Sequence, residues 1–124
     1  MKPKIIKYDS NAEFDTEERC FINELSNSAD DPEVSIAQAR VEPGMTTEWH
    51  SLIDTVERYV IISGTGDVAV DNEPVQELTV GDVVIIPPNC RQRITNTGDQ
   101  QLLFLAICSP PFRVENYVQG GDKD

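Results

Sequence analysis

The chain holds one histidine, His50, and a carboxylate, Glu57, seven residues beyond it at the head of a β-branched run. Imidazole and carboxylate are the side chains most used to move protons near neutral pH. Tyr59, two residues past Glu57, adds a phenol on the same side of an extended chain. Cys20, Cys90 and Cys108 are odd in number and far apart, so they make neither a disulfide framework nor a paired zinc spacing. With one imidazole in the chain, no spare base exists to activate a cysteine nucleophile. The two-histidine, one-carboxylate set of non-heme iron sites cannot be assembled either.

These residues must be carried by strands, because the periodicity along the chain is that of strands. Extended segments are expected at 5–8, 19–25, 34–41, 45–52, 57–63, 67–70, 75–80, 82–86, 91–96 and 101–108. The run Ser26-Asn27-Ser28-Ala29-Asp30-Asp31-Pro32 is a loop by its turn residues, and Pro43-Gly44, Asp71-Asn72, Pro88-Asn89 and Thr97-Gly98-Asp99 mark turns. One short stretch, 11–19, is ambiguous between turn and helix. About ten short strands at near-regular spacing indicate an antiparallel sandwich or barrel. No internal repeat or low-complexity segment interrupts them.

Two spaced motifs give the barrel a family likeness. Gly44, His50, Glu57 and Gly64 fall at the places of G-x5-H-x-H-x4-E-x6-G, the first motif of the cupins, with Leu52 at the second histidine position. Gly81, Pro87 and Asn96 fit the second motif, G-x5-P-x-G-x2-H-x3-N, with Asn89 at its inner glycine and Gln92 at its histidine. The chain therefore resembles a small single-domain cupin with a degenerate ligand set. The resemblance implies an all-β fold, an antiparallel double-stranded β-helix or jelly-roll barrel. It implies one domain over 1–124: N-terminal strands in 1–33, the motif-bearing barrel at about 34–112, and a flexible tail over 113–124.

In such a barrel His50, Glu57 and Gln92 would point to one spot near the mouth, with Tyr59 beside them and Arg58, Arg91 and Arg93 outside. Two readings follow. His50, Glu57 and Gln92 are the candidate ligands of a weakly held divalent metal (zinc, nickel, manganese or iron), weak because an amide oxygen donates less well than an imidazole. Alternatively Glu57 as general base and His50 as general acid, with Tyr59 near, serve an isomerase- or lyase-type reaction, or a metal held by His50, Glu57 and Gln92 activates a chelating substrate as in a metal-dependent dioxygenase. Beside each stands a structural reading: His50 hydrogen-bonded to Glu57, Gln92 satisfying a buried partner, Tyr59 filling core. Glu57 carries the strongest functional signal, since a carboxylate inside a β barrel is costly unless it is paired or used. Arg40 is expected on the rim or outer face, and Trp49 outside the barrel.

Composition bounds the partners. A formal net charge of −12 and a pI near 4.3 argue against phosphate backbones and anionic lipid surfaces, which need clustered Lys and Arg. No apolar run approaches the roughly 20 residues of a membrane span, and no signal sequence is visible. The dispersed cysteines fit a reduced, cytoplasmic protein. The expected ligand is a small oxygenated molecule, a carboxylic acid or sugar derivative, and the N-terminal segment is expected to pair subunits into a homodimer. Fold alone does not give substrate or reaction.

Overall fold

A computed structural model describes residues 1–120. Among them the strands are β1 (Phe14–Asp15), β2 (Phe21–Ser26), β3 (Ser35–Val41), β4 (His50–Leu52), β5 (Val56–Ser63), β6 (Gly66–Val70), β7 (Gln76–Leu78), β8 (Val83–Ile86), β9 (Gln92–Asn96), β10 (Leu102–Ser109) and β11 (Tyr117–Gln119). They form two antiparallel sheets, β1-β2-β3-β10-β5-β8 and β11-β4-β9-β6-β7, which face each other as a jelly-roll barrel. The all-β expectation holds. Single 3-10 turns at Ser10–Ala12 and Val114–Asn116 are the helical content of the described residues, and none is long or apolar enough to cross a membrane.

Strand alternation builds the interior. In β5 the inward set is Glu57, Tyr59 and Ile61, and in β10 it is Leu102, Phe104, Ala106 and Cys108, each buried while its neighbours are not. The register sets Cys108 opposite Glu57, Phe104 opposite Ile61 and Leu102 opposite Val41. The barrel is thus graded along its axis. Ile61, Val41, Leu102, Val68 and Leu78 pack one end solid, while the end carrying Glu57 and Cys108 opens into a cavity.

Motif glycine and asparagine are structural. Gly64 turns the chain at φ +91°, and a Cβ there would lie 2.7 Å from the Gln101 carbonyl oxygen. Both the left-handed backbone and the close approach demand glycine. Asn96 is 1% exposed; its Nδ2 donates to the carbonyls of Val41 (2.9 Å) and Gln100 (2.7 Å), and its Oδ1 accepts from the Gly98 amide (2.9 Å). One side chain thereby ties β9 to β3 and closes the turn into β10.

Both ends of the chain differ from expectation. Residues 5–8 form no strand: the segment is held outside the barrel by side chains, Asn23 Nδ2 donating to the Asp9 carbonyl and Gln38 Nε2 to the Tyr8 hydroxyl. With Lys4 paired to Asp30, these contacts anchor the segment without a ladder. The ambiguous 11–19 stretch is a 3-10 turn followed by β1, not a helix. Over 113–120 the expected flexible tail is ordered instead, because β11 pairs with β4 and its Tyr117 stacks on His50; the remainder of that tail, 121–124, lies outside the described residues. Arg40 points outward as expected, bonded to Glu13 through Nε and Nη2 at 2.9 and 2.8 Å and lying over the Phe21 ring.

Replacing Asn96 by Ala strands two carbonyls and an amide in the interior. Asn96→Ala is expected to lose about 2–4 kcal/mol in urea unfolding, the range for several buried groups left unpaired. A loss under ~0.5 kcal/mol would show that water replaces the amide at no cost.

Candidate active site

Glu57 sits in the middle of a sheet, between Cys108 on β10 and Ile86 on β8, which fixes its side chain on the barrel wall facing in. It is 7% exposed. Gln92 begins β9 directly opposite His50 on β4, and reaches across the interior to the other sheet. Its Nε2 donates to Glu57 Oε1 at 2.7 Å, and its Oε1 accepts from the Tyr59 hydroxyl. The Cys108 thiol lies 3.8 Å from Glu57 Oε2. Tyr59, tilted against Phe104 at a centroid distance of 4.5 Å, is wholly interior.

His50 is positioned by backbone and ring contacts. Nδ1 donates to the Glu48 carbonyl at 3.0 Å, so in the neutral ring the lone pair is on Nε2. Tyr117 stacks on the imidazole with centroids 5.0 Å apart and planes 15° apart, holding the ring flat against β11. His50 is half-buried and lines the cavity with Glu57.

Burial dominates the electrostatics. It raises the Glu57 carboxyl above the usual carboxylate range, against the opposing pull of the His50 imidazole and of hydrogen bonds from Gln92 and Cys108. Because Oε1 accepts from Gln92, the proton of the neutral acid belongs on Oε2. Burial and the Glu57 charge push the Cys108 thiol up to about 12, and burial pushes Cys20 up to about 12 as well, so neither supplies a thiolate. Tyr59 is held well above its ordinary value by burial and by Glu57.

The cavity measures about 620 Å³, within the span of small-molecule sites. Phe104, Ala39 and Ile94 form its floor, the β1–β2 hairpin one wall, and Phe112, Val114 and Tyr117 another. Of the expected residues, the structure brings His50, Glu57 and Tyr59 to this cavity, whereas Gln92 is 0% exposed and lies behind them. Tyr59's hydroxyl is spent on Gln92, which makes it a support rather than an exposed acid. Trp49 does lie outside, with Arg91 and Arg93 over its ring at 4.2 and 4.5 Å.

The set His50, Glu57 and Gln92 does not fit a metal ion. Gln92 spends its amide on Glu57 and Tyr59 and presents no free oxygen to the cavity. Leu52 adds no donor, and among the described residues no group of three His, Cys, Asp or Glu side chains converges. Three contributors were not singled out in sequence. Cys108 was legible from the alternation of β10, which puts it in line with Leu102, Phe104 and Ala106. Tyr117 and the Glu48 carbonyl carry no local signal, since each acts through a long-range contact.

A jelly roll whose mouth cavity is lined in part by the motif positions His50, Leu52 and Glu57 fits the cupin class, and the chain belongs to the cupin family: the cupin domain model matches residues 37–108. The chain is 34% identical over 117 residues to the uncharacterized protein MJ1618 of Methanocaldococcus jannaschii, covering 91% of this chain and 93% of that one. It also resembles an uncharacterized double-stranded β-helix protein of Klebsiella pneumoniae, with TM-score 0.77, 14% identity, and 94% and 98% of the two chains covered. The nucleoside dehydratase Pac13 of Streptomyces superposes with TM-score 0.76 at 17% identity, covering 94% of this chain and 91% of its own. These two likenesses show the fold.

Gln92→Leu removes the link between the sheets. The Tyr59 hydroxyl and Glu57 Oε1 both lose their partner, so a stability loss of about 2–4 kcal/mol is expected in urea unfolding. Glu57, deprived of a bond that favours its charged form, should titrate still higher by carboxyl carbon-13 NMR. A downward move would contradict the assigned hydrogen bond.

Proposed function

We propose that the barrel binds a small oxygenated molecule in its mouth and acts on it by acid–base chemistry of the isomerase or lyase type. The observation supporting this is the pairing, on one cavity, of a buried carboxyl raised by desolvation with an imidazole oriented through its Nδ1. A carboxyl shifted by burial beside an imidazole of fixed tautomer is a common acid–base arrangement. In an elimination, His50 Nε2 takes a proton from the carbon beside the leaving hydroxyl. The C–H pair becomes the double bond, the C–O bond breaks, and Glu57 Oε2 gives the proton that lets the oxygen leave as water. In an isomerisation the same pair moves a proton between carbon and oxygen. The likeness to Pac13, a nucleoside dehydratase, supports the reading only in showing that such a barrel hosts water elimination. A plain binding barrel is the second reading, favoured by both Glu57 oxygens having protein partners.

The acid must be protonated to act. Glu57 is protonated below its raised pKa, so activity should fall as pH rises through that value, above the ordinary carboxylate range. A panel of hydroxylated compounds in heavy water, followed by proton NMR, reads both exchange at carbon and loss of water. Glu57→Gln and His50→Gln should each lower the rate about 10²-fold or more, with ligand shifts retained. Binding without exchange in the parent protein would leave the plain binding barrel standing.

We also propose that two copies associate through the outer face of β5 and β8. Ile62, Val83 and Ile85 are 48%, 56% and 69% exposed there, and β8 is the unpaired end of its sheet. Copies carrying −12 each repel one another over their acidic surfaces, whereas this face presents apolar side chains with Arg58 opposite Ile85. Sedimentation at micromolar concentration should give a dimer that Ile85→Glu dissociates; a monomeric parent would count decisively against it.

A further inference from the structure

The charges around the cavity have one sign. Asp15, Glu18, Glu24 and Glu48 line it together with Glu57, and no lysine or arginine does. The sole basic lining group is His50, committed through Nδ1 to a carbonyl. Arg19, the nearest cation in sequence, does not line the cavity but pairs with the lining Glu48, so that the uncompensated charge there is that of Asp15 and Glu18, which have no cationic partner among the described residues. The turn between β1 and β2 enforces this arrangement. Thr16 bonds the Cys20 carbonyl through both its amide (3.1 Å) and its hydroxyl (2.6 Å), and Glu17 and Arg19 take left-handed backbone, φ 67° and 65°. Within that closed turn Glu18 lines the cavity while Glu17 and Arg19 do not. Behind the rim the walls are aromatic: Phe14, Phe112 and Tyr117.

We infer that the ligand is a cationic amine with a hydroxyl and an apolar body, and that the β1–β2 hairpin selects it. The inference rests on the reading of the cavity as the ligand site, and deepens it. Asp15, Glu18 and Glu24 all belong to this hairpin, outside residues 37–108 where the cupin match lies. The family barrel supplies the acid and base, and the added hairpin supplies the charge preference. Carboxylates gathered at one mouth attract an ammonium and repel a carboxylate. A carboxylic acid, one of the ligand classes expected from sequence, is therefore disfavoured: at neutral pH it carries the wrong charge.

Three probes sharing one skeleton isolate the charge: 2-amino-1-phenylethanol, 1-phenylethane-1,2-diol and mandelate. Each has the same ring and benzylic hydroxyl and differs in a terminal ammonium, hydroxyl or carboxylate. Titration calorimetry at low salt, with amide shift mapping on the full chain, should rank the amine first and mandelate last, the extremes about tenfold or more apart. Added salt should narrow that gap, because the rim is open to solvent. Asp15→Asn with Glu18→Gln keeps size and hydrogen-bonding capacity; it should close most of the gap while leaving diol affinity unchanged, which also shows the variant folded. Mandelate binding as tightly as the amine, or a gap untouched in the double variant, overturns the inference while leaving the cavity a binding site. Failure of all three probes to shift cavity amides is the different failure, of the binding-site reading itself, and takes this inference down with it.

Discussion

The structure turns on a carboxyl placed where a carboxyl is expensive. Glu57 stands on a strand paired on both sides, facing an interior of Ile, Leu and Phe, and it is tolerated because Gln92 reaches across from the opposite sheet to meet it. The same amide accepts from Tyr59 two residues along β5, so one side chain of β9 satisfies two of β5. A buried polar network of this kind is stabilising only when every member is paired. Here the pairing also fixes where the two sheets lie relative to one another at the cavity end. Asn96 does the equivalent work at the packed end, from the same strand. β9 therefore carries polar fasteners at its two ends with Ile94 between them.

Burial that costs stability also sets the protonation of this carboxyl. Desolvation raises Glu57, and the network that holds it offsets only part of that rise. A carboxyl protonated more tightly in the folded chain than in the unfolded one adds most to stability below the ordinary carboxylate pKa. That contribution is lost as pH rises toward the folded value. That share of stability and the protonated state of Glu57 thus have one origin and decline over the same pH window. His50 is fixed by geometry: a carbonyl sets its tautomer and a tyrosine sets its plane.

The cupin match covers the strands that bear Glu57, His50 and Gln92, while about half of the cavity lining comes from outside it. Phe14, Asp15 and Glu18 precede the match; Phe112, Val114 and Tyr117 follow it. Such a division lets a common barrel keep its inner polar network while the flanking segments reshape the mouth.

Much of this was legible in the sequence because it depends on local pattern. Period-two alternation gave the strands of the barrel, and the motif spacing from Gly44 to Gly64 and from Gly81 to Asn96 gave the jelly roll and placed His50, Glu57 and Gln92 in one neighbourhood. What the tertiary structure alone decided was who bonds to whom. Gln92 has the same place in the motif whether it faces a metal or a glutamate; the distance to Glu57 Oε1 and the bond from Tyr59 settle that it is a fastener. The end of the chain read as frayed because Gly, Asp and Lys cannot bury a core, yet Tyr117 is ordered by stacking on a histidine 67 positions earlier. The sign of the charge at the mouth was likewise beyond the sequence. A net charge says how many carboxylates a chain has, and only the fold says which of them face inward.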